Sequence, residues 1–593
     1  MIAPQTRGLI AATRASRVGV LSRAARAPYL CRNFATSKSL YQEAKPEPVA
    51  SEKGLSGQQP QQPQQEPKSD NNNSQKSRRG WGFWKTTWRL TQLTIAGSLA
   101  YAGYHIYMMR NPSEQPPQDP SKKTLVILGS GWGSVSLLKK IDTSNYNVVV
   151  ISPRNFFLFT PLLPSCTTGT VEHRSIMEPI RGIIRNKQAS VTYYEAHANH
   201  IDHDKRVVRI TNAVRSDSTH EEPEEKEIPF DYLVVGVGAM NSTFGIPGVQ
   251  ENACFLKEIP DAQKIRKRIM DCIEAASFKN LDDEDRKRLL HTVVVGGGPT
   301  GVEFAAELQD FFAEDLKKWV PDIASDFKVT LVEALPNVLP SFSKQLIDYT
   351  ERQMKSENIS VLTKTMVKKV SQDTITAEAT RPDGTKETVE MPYGLLVWAT
   401  GNAVRPVIRD LMSRIPAQRN SRRGLLVNEY LVVEGTEGIW AVGDCTATKY
   451  APTAQVASQQ GSYLGGLFNQ LARADSLEKE VHQLEDKAHG AATEEQRSPI
   501  LSEIELKTRR LRRAKSLLPF EYSHQGSLAY IGSDRAVADL ALWGEGNFAT
   551  GGQLTYIFWR SAYISMCFSM RNKILVLLDW CKVKVFGRDV SRE

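Results

Sequence analysis

The sequence predicts an α/β fold of two related parallel-sheet units, the second inserted within the first, with a helical region appended at the carboxyl end. Three observations predict it. Apolar β-branched runs break into glycine turns that open helical stretches at two places: Thr124-Leu-Val-Ile-Leu128 before Gly129-Ser-Gly131-Trp-Gly133, and Thr292-Val-Val-Val295 before Gly296-Gly-Gly298-Pro-Thr300-Gly301. A strand running into glycines also occurs twice, from Phe230 through Gly238 and from Tyr393 to Gly401. A further buried strand, Gly438-Ile-Trp-Ala-Val-Gly443-Asp444, is left over once the second set is complete, which is what an insertion leaves behind.

At 593 residues the chain has room for several domains, and 41% hydrophobic residues is ordinary for a globular core rather than a polytopic membrane protein. The net charge of +9 gathers at the chain ends, beside apolar segments, so it reads as import signal and membrane-surface attraction and not as a nucleic-acid interface. Seven cysteines show neither C-x-x-C nor zinc-ligand spacing, and there is no calcium-loop pattern, so no metal site and no disulfide framework are expected.

Taken in order, residues 1–40 carry Arg7, Arg14, Arg17, Arg23, Arg26 and Arg32 with no acid before Glu43, the composition of a mitochondrial transit peptide. Residues 41–85 are a Pro- and Gln-rich linker with too few large apolar groups to order itself. Residues 86–110, uncharged from Leu90 to Met109 and flanked by Trp and Tyr, match one bilayer crossing, with a buried or interfacial helix as the alternative. Lys76, Arg78, Arg79, Lys85 and Arg89 precede it and Arg110, Lys122 and Lys123 follow, which as a crossing would put the body in the intermembrane space. The first unit then spans 120–255, the inserted unit 256–390, and the return to the first unit 391–465. Residues 466–520 read as a charged helical pair, and 521–593 as aromatic and basic helices suited to a membrane surface or a dimer interface.

A glycine turn ahead of a helix lets the backbone approach a pyrophosphate, while the helix start offers unpaired N–H groups; both units are therefore Rossmann-like and dinucleotide-binding. In the inserted unit, Val329-Thr-Leu-Val-Glu333 ends in an acid suited to ribose hydroxyls and repulsive to a 2′-phosphate, which favours NADH over NADPH unless Glu333 is merely a surface carboxylate. The first unit has Ser152 at the matching place, and Asp444 after Gly443 suits a flavin's ribityl or phosphate arm. Hydride transfer between a nicotinamide and a flavin needs positioning rather than an acid or base. No cysteine pair stands beside the first glycine turn, which disfavours a dithiol relay. Gln455 and Gln459, one helical turn apart, can hydrogen-bond a quinone's carbonyls or simply form a polar helix face.

These runs, with Ser152-Pro-Arg154-Asn-Phe-Phe-Leu-Phe-Thr-Pro-Leu-Leu-Pro164, Gly296 to Leu308, Trp398-Ala-Thr-Gly401-Asn402 and Ala454-Gln-Val-Ala-Ser-Gln459, resemble the fungal-like type II, or alternative, NADH:ubiquinone oxidoreductases of mitochondria. The resemblance covers the body from Thr124 onward. It implies a two-dinucleotide-binding flavoprotein fold with an NADH domain inserted in an FAD domain. Noncovalent FAD would lie on Gly129, Gly131, Gly133, Ser152, Arg154, Gly238, Gly443 and Asp444. NADH, the substrate, would lie on Gly296, Gly298, Thr300, Gly301, Glu333, Gly401 and Asn402. Glu303 would sit near both and assist proton delivery, and ubiquinone would meet Gln455 and Gln459. The resemblance further implies a homodimer on the mitochondrial inner membrane, external-facing, with no nucleic-acid partner. Ser458 stands where fungal members are expected to carry histidine, which removes any role for that imidazole. A sulfide:quinone oxidoreductase, with Cys166 and Cys445 as the tempting residues, and a flavoprotein like apoptosis-inducing factor are the rival readings.

Overall fold

The computed structural model describes residues 78–213, 225–278, 281–541 and 547–592. The transit peptide expected over 1–40 and most of the linker expected over 41–85 lie outside the described residues.

Arg78–Arg110 is one helix of 33 residues. The crossing expected over 86–110 is not met, because no helix among the described residues is long and apolar enough to span a membrane. Thr91, Gln92, Thr94, Gly97, Ser98 and Gly103 dilute its apolar residues, and Arg89 and Arg110 close it at both ends. The orientation argument built on that crossing falls with it.

Two five-stranded parallel sheets carry the body. Their central strands are rich in Val, Ile and Leu because both faces are covered; Asn147–Ile151 is buried at every position. The first sheet runs Ile439–Ala441, Tyr232–Val235, Thr124–Leu128, Asn147–Ile151, Val191–Tyr194. The second runs Cys254–Phe255, Leu395–Trp398, His291–Val295, Lys328–Val332, Ile359–Leu362. In each, the glycine-turn strand lies in the middle and the chain steps outward over two strands. It then makes an antiparallel three-stranded meander and returns on the other side of the glycine strand. The meanders are Ala196–Asp202, Val207–Asn212, Glu225–Pro229 and Thr365–Val370, Thr374–Thr380, Lys386–Pro392.

The first sheet is completed only by Ile439–Ala441, after the whole second sheet has formed, so the second unit is an insertion. The boundaries differ from those expected. Leu395–Trp398 pairs with the second sheet's glycine strand, and Cys254–Phe255 pairs with Leu395–Trp398 in turn, so the inserted unit runs past 390 and begins before 256. The chain crosses between units on two short strands, Ala239–Asn241 and Asn402–Val404, paired antiparallel with Asn241 opposite Asn402.

Helix Ala454–Gly490 starts beneath Thr453, whose side chain accepts from the Val456 N–H. It packs against helix Trp132–Lys140 so closely that a side chain at Gly461 would stand 1.9 Å from the Gly133 carbonyl. The same helix runs on to pair with Glu494–Lys515 through Ala474, Leu477 and Ala514, tied by Lys507 to Glu480 and by Lys515 to Glu478 at 2.9 Å. The charged excursion expected over 466–520 is thus partly the continuation of a helix that begins at the site. Beyond it stands a feature absent from the sequence reading, an antiparallel sheet of Ser527–Gly532, Arg535–Ala541 and Asn547–Gly552. Helices Gln553–Met566 and Met570–Phe586 follow.

Candidate functional site

The register of the first sheet sets Leu128 beside Ile151 and Val235, so the turn after Leu128 opens at the carboxyl edge of the strands, where α/β sheets bind ligands. Each turn glycine answers a different demand. Gly129 has φ +100° with the Gly236 carbonyl pressed against it, a conformation L side chains avoid. A side chain at Gly131 would meet nothing within 4 Å and would project into open space. Gly131 caps helix Trp132–Lys140 without any side-chain hydrogen bond. The second turn repeats this: Gly296 has φ +121°, Gly298 faces open space at the cap of helix Pro299–Phe311, and a Cβ at Gly301 would strike the Gly296 carbonyl at 1.9 Å.

Around the first turn lies a cleft of about 1000 Å³ lined by Gly129, Gly131, Gly133, Ser152, Arg154, Gly238, Gly443 and Asp444, all the residues expected for FAD. Ser152 is buried and turned inward, its hydroxyl donating to the Arg154 carbonyl at 2.9 Å. The Arg154 guanidinium pairs with Glu258. Burial raises the Asp444 carboxyl, opposed by the Lys257 ammonium, and the same burial lowers Lys257. Lys257 donates to the Asn402 side chain at 2.8 Å and has no carboxylate within ion-pair distance among the described residues. An open cradle at Gly131, an uncapped helix start and a half-buried ammonium fit a dinucleotide with an anionic pyrophosphate.

At the second turn, Glu333 folds back so that Oε2 accepts from the Gly297 N–H at 2.5 Å and Oε1 from the Leu335 N–H at 2.7 Å. The acid therefore lies on the turn itself, where a ribose beside that turn would meet it. Of the residues expected for NADH, Gly296, Gly298, Gly301 and Glu333 gather at the second sheet, whereas Thr300, Gly401 and Asn402 line the first cleft. The two sites therefore share a wall.

Glu303 lies one turn beyond Thr300 and is buried. Burial pushes its carboxyl up to about 8, against the pull of the Tyr530 N–H, which donates to Oε1 at 3.2 Å. The Tyr563 hydroxyl also donates to it, at 3.4 Å.

Gln455 and Gln459 do share a helix face, and their amides are engaged. Gln455 Oε1 accepts from the Tyr522 hydroxyl at 2.7 Å while its Nε2 donates to the Gly526 carbonyl at 3.1 Å. Gln459 holds Ser523 through both of its amide atoms. Ser458 turns away, its hydroxyl 2.8 Å from that of Ser136.

Sequence reading missed Lys257, Glu258 and Arg405 in the cleft wall. One signal was available, since Glu258 and Asp261 form a capping box on either side of Pro260, marking a helix start at the cleft. It also missed that helix Pro299–Phe311 buries Glu307 and Asp310 as well as Glu303, and that the buried Arg588 near the carboxyl end bridges Glu314 and Asp315, both at 2.8 Å.

Residues 123–461 match the family model described as pyridine nucleotide-disulphide oxidoreductase, and residues 524–589 match the NDH2 C-terminal domain. The chain is 71% identical over 518 residues to the external alternative NADH-ubiquinone oxidoreductase of Yarrowia lipolytica, covering 87% of this chain and 88% of that one. It is 47% identical to external NADH-ubiquinone oxidoreductase 2 of Saccharomyces cerevisiae, covering 84% and 88%. Among solved structures, NDH2 from Plasmodium falciparum in complex with NADH superposes with a TM-score of 0.68 at 28% identity, over 79% of this chain and all of that one.

Proposed function

We propose, from the premise that this chain belongs to the mitochondrial alternative NADH-ubiquinone oxidoreductases within the pyridine nucleotide-disulphide oxidoreductase family, that it oxidises NADH and reduces ubiquinone through FAD without moving protons across the membrane. The observation that carries the reading is the shared wall: Thr300, Gly401 and Asn402 of the inserted unit line the same cleft as Gly129, Gly131 and Asp444.

Gly129, Gly131, Gly133, Ser152, Arg154, Gly238, Gly443 and Asp444 would hold FAD, which when bound would supply the two-electron chemistry between NADH and the quinone. The chain's own residues bind and orient. Gly131 leaves room for a pyrophosphate, and Lys257 offsets its charge. Gly296, Gly298 and Gly301 seat the NADH phosphates, and Glu333 accepts from the adenosine ribose and repels a 2′-phosphate. Gln455 and Gln459 fix the segment Tyr522–Gly526, and through it the wall a quinone ring would meet. Burial of Glu303, raising its carboxyl to about 8, favours the form that holds a proton, one helical turn beyond Thr300 of the cleft.

The buried thiols argue against the sulfide reading. Cys445 is pushed up to about 12 and Cys166 well above the ordinary thiol range by burial, so neither supplies a thiolate.

Membrane contact is assigned to the carboxyl-terminal helices, where Leu554, Ile557, Leu578, Val585 and Phe586 are exposed among Lys573, Lys582 and Lys584. The same apolar face would serve a homodimer. The intermembrane-space side is supported by the word "external" in the names of the two yeast relatives.

The test is NADH oxidation by the purified, FAD-loaded protein with a short-chain ubiquinone. Stoichiometric quinol formation with NADH, and little with NADPH or sulfide, is the expected outcome; flavin bleached by sulfide and not by NADH would refute it. NADH added to intact mitochondria tests sidedness, since oxidation only after opening the inner membrane would contradict the external placement.

A further inference from the structure

Two backbone groups of opposite polarity set the orientation of the Gln455 amide. The Gly526 carbonyl, which can only accept, lies 3.1 Å from Nε2, and the Gln525 N–H, which can only donate, lies 3.3 Å from Oε1. A flipped amide would set carbonyl against carbonyl and N–H against N–H. Oε1 is therefore an acceptor where it stands, and the Tyr522 hydroxyl, 2.7 Å away, must donate to it.

That donation decides the next partner. A phenol has one hydrogen, and with it spent on Gln455 the Tyr522 oxygen is left to accept. His524 Nδ1, 3.1 Å from that oxygen, must then carry a hydrogen. The tautomer protonated only on Nε2 does not fit, because its bare Nδ1 would compete with Gln455 for the tyrosine hydrogen. Burial raises the Tyr522 phenol above its ordinary value and so keeps the hydrogen on it. Tyr522 is steadied from its other side as well: its N–H donates to the Tyr450 hydroxyl at 3.4 Å, and the two rings lie 5.4 Å apart. The result is a one-way series of donors from exposed His524 through half-buried Tyr522 to Gln455.

One bond of the amide is left open. Oε1 receives two donors and Nε2 spends one of its two hydrogens on Gly526, while the second has no acceptor among the described residues. In the same helix Ala454 and Ala457, on either side of Gln455 in sequence, line the cofactor cleft. A ligand meeting this amide must offer an oxygen that accepts, as a quinone carbonyl does. Donation into Oε1 polarises the amide and strengthens the N–H that remains. A series that ends on an amide oxygen hands no proton onward, so its office is orientation.

We propose that Tyr522 and His524 are positioning residues for the quinone, aligning and polarising the Gln455 amide so that its remaining N–H meets a quinone carbonyl. The proposal rests on the NADH:quinone reading and adds to it the donor that the quinone meets and the two side chains that hold this donor in place.

The test is steady-state kinetics of the FAD-loaded, full-length protein with NADH and a short-chain ubiquinone. Tyr522→Phe should raise the quinone KM about fivefold, the effect of one lost hydrogen bond, with kcat falling less than about twofold and the NADH KM unmoved. His524→Leu should raise the quinone KM about threefold, and His524→Asn, whose amide nitrogen can donate from the place of Nδ1, should restore it. Because His524 acts only through the tyrosine hydroxyl, Tyr522→Phe combined with His524→Leu should be no worse than Tyr522→Phe alone. The Ser523 amide, held by Gln459 and outside this series, should exchange at the unmodified rate in every variant. Additive losses, an Asn variant no better than the Leu variant, a quinone KM unmoved by Tyr522→Phe, or Ser523 exchange that quickens in step with KM would overturn the assignment. Absence of quinone reduction by the unmodified protein would instead overturn the function it rests on.

Discussion

Gln459 grips Ser523 at two points, its Oε1 accepting from the Ser523 N–H at 3.0 Å and its Nε2 donating to the Ser523 carbonyl at 2.8 Å. A side-chain amide used this way acts as a short strand partner for a segment outside any sheet, and Gln455 does the same one turn earlier with Gln525 and Gly526.

Gln459→Leu keeps the volume and removes both bonds. About 1–2 kcal/mol of stability should be lost, since each of the two exposed hydrogen bonds contributes roughly 0.5–1 kcal/mol. The informative readout is local: exchange of the Ser523 amide should quicken about tenfold and the quinone KM should rise, with the NADH KM unaffected. An unchanged quinone KM would separate this segment from the quinone site.

Two glycine substitutions should fail in opposite ways. Gly131 has φ −84° and open space where a side chain would go, so Gly131→Ala should fold and melt normally as apoprotein while binding FAD at least tenfold more weakly. Gly301→Ala drives a methyl into the Gly296 carbonyl and should destabilise the inserted unit itself. Thermal melts with and without FAD distinguish the two.

Glu333→Gln keeps the acceptor that holds Gly297 and removes the charge that repels a 2′-phosphate. The ratio of kcat/KM for NADH over NADPH should fall about tenfold, equivalent to about 1.4 kcal/mol of discrimination. A ratio unmoved by this change would show that the carboxylate does not face the ribose.

Glu303 and Asp310 are raised by burial to about 8 and about 7 from ordinary values of 4.5 and 3.8. The folded chain therefore binds more protons than the unfolded one across that window. Their contribution to stability is whole below the ordinary values and is lost as pH rises through the raised ones, with a limiting slope of about 1.4 kcal/mol per pH unit for each group. Melting temperature should decline between about pH 5 and pH 8 on this account, and Glu303→Gln should flatten part of the decline. An identical slope in the variant would mean that Glu303 is ionised in the folded protein.

Replacing Leu578 and Phe586 together with Ser removes exposed apolar surface without touching the core. Sedimentation with anionic vesicles should drop severalfold, while soluble-quinone turnover persists. Full vesicle binding would move the membrane contact elsewhere.

What could be read from the chain followed from locality. The glycine turns, their β-branched strands and Glu333 lie within short windows, so spacing alone revealed them. Even the insertion was visible, because Ile439–Ala441 had no partner left in sequence order. Burial is a property of distant neighbours and was not visible in the same way. Glu307 and Asp310 are enclosed by partners far away in the chain, Thr170 and Tyr530, whose hydroxyls donate to them. The Arg78–Arg110 helix errs in the other direction: length and flanking aromatics suggested a span that its scattered Thr, Gln, Ser and Gly residues do not support.

Asn241 opposite Asn402 gives the inserted unit a narrow neck. Everything between those two residues leaves and rejoins the rest of the body about one strand spacing apart, roughly 5 Å. Such a segment is a transplantable cassette. A nucleotide unit from a relative with the opposite coenzyme taste could be grafted at these two asparagines, where the ends to be joined are already side by side, provided that it keeps the helix face that packs against the Ser527–Gly532 strand.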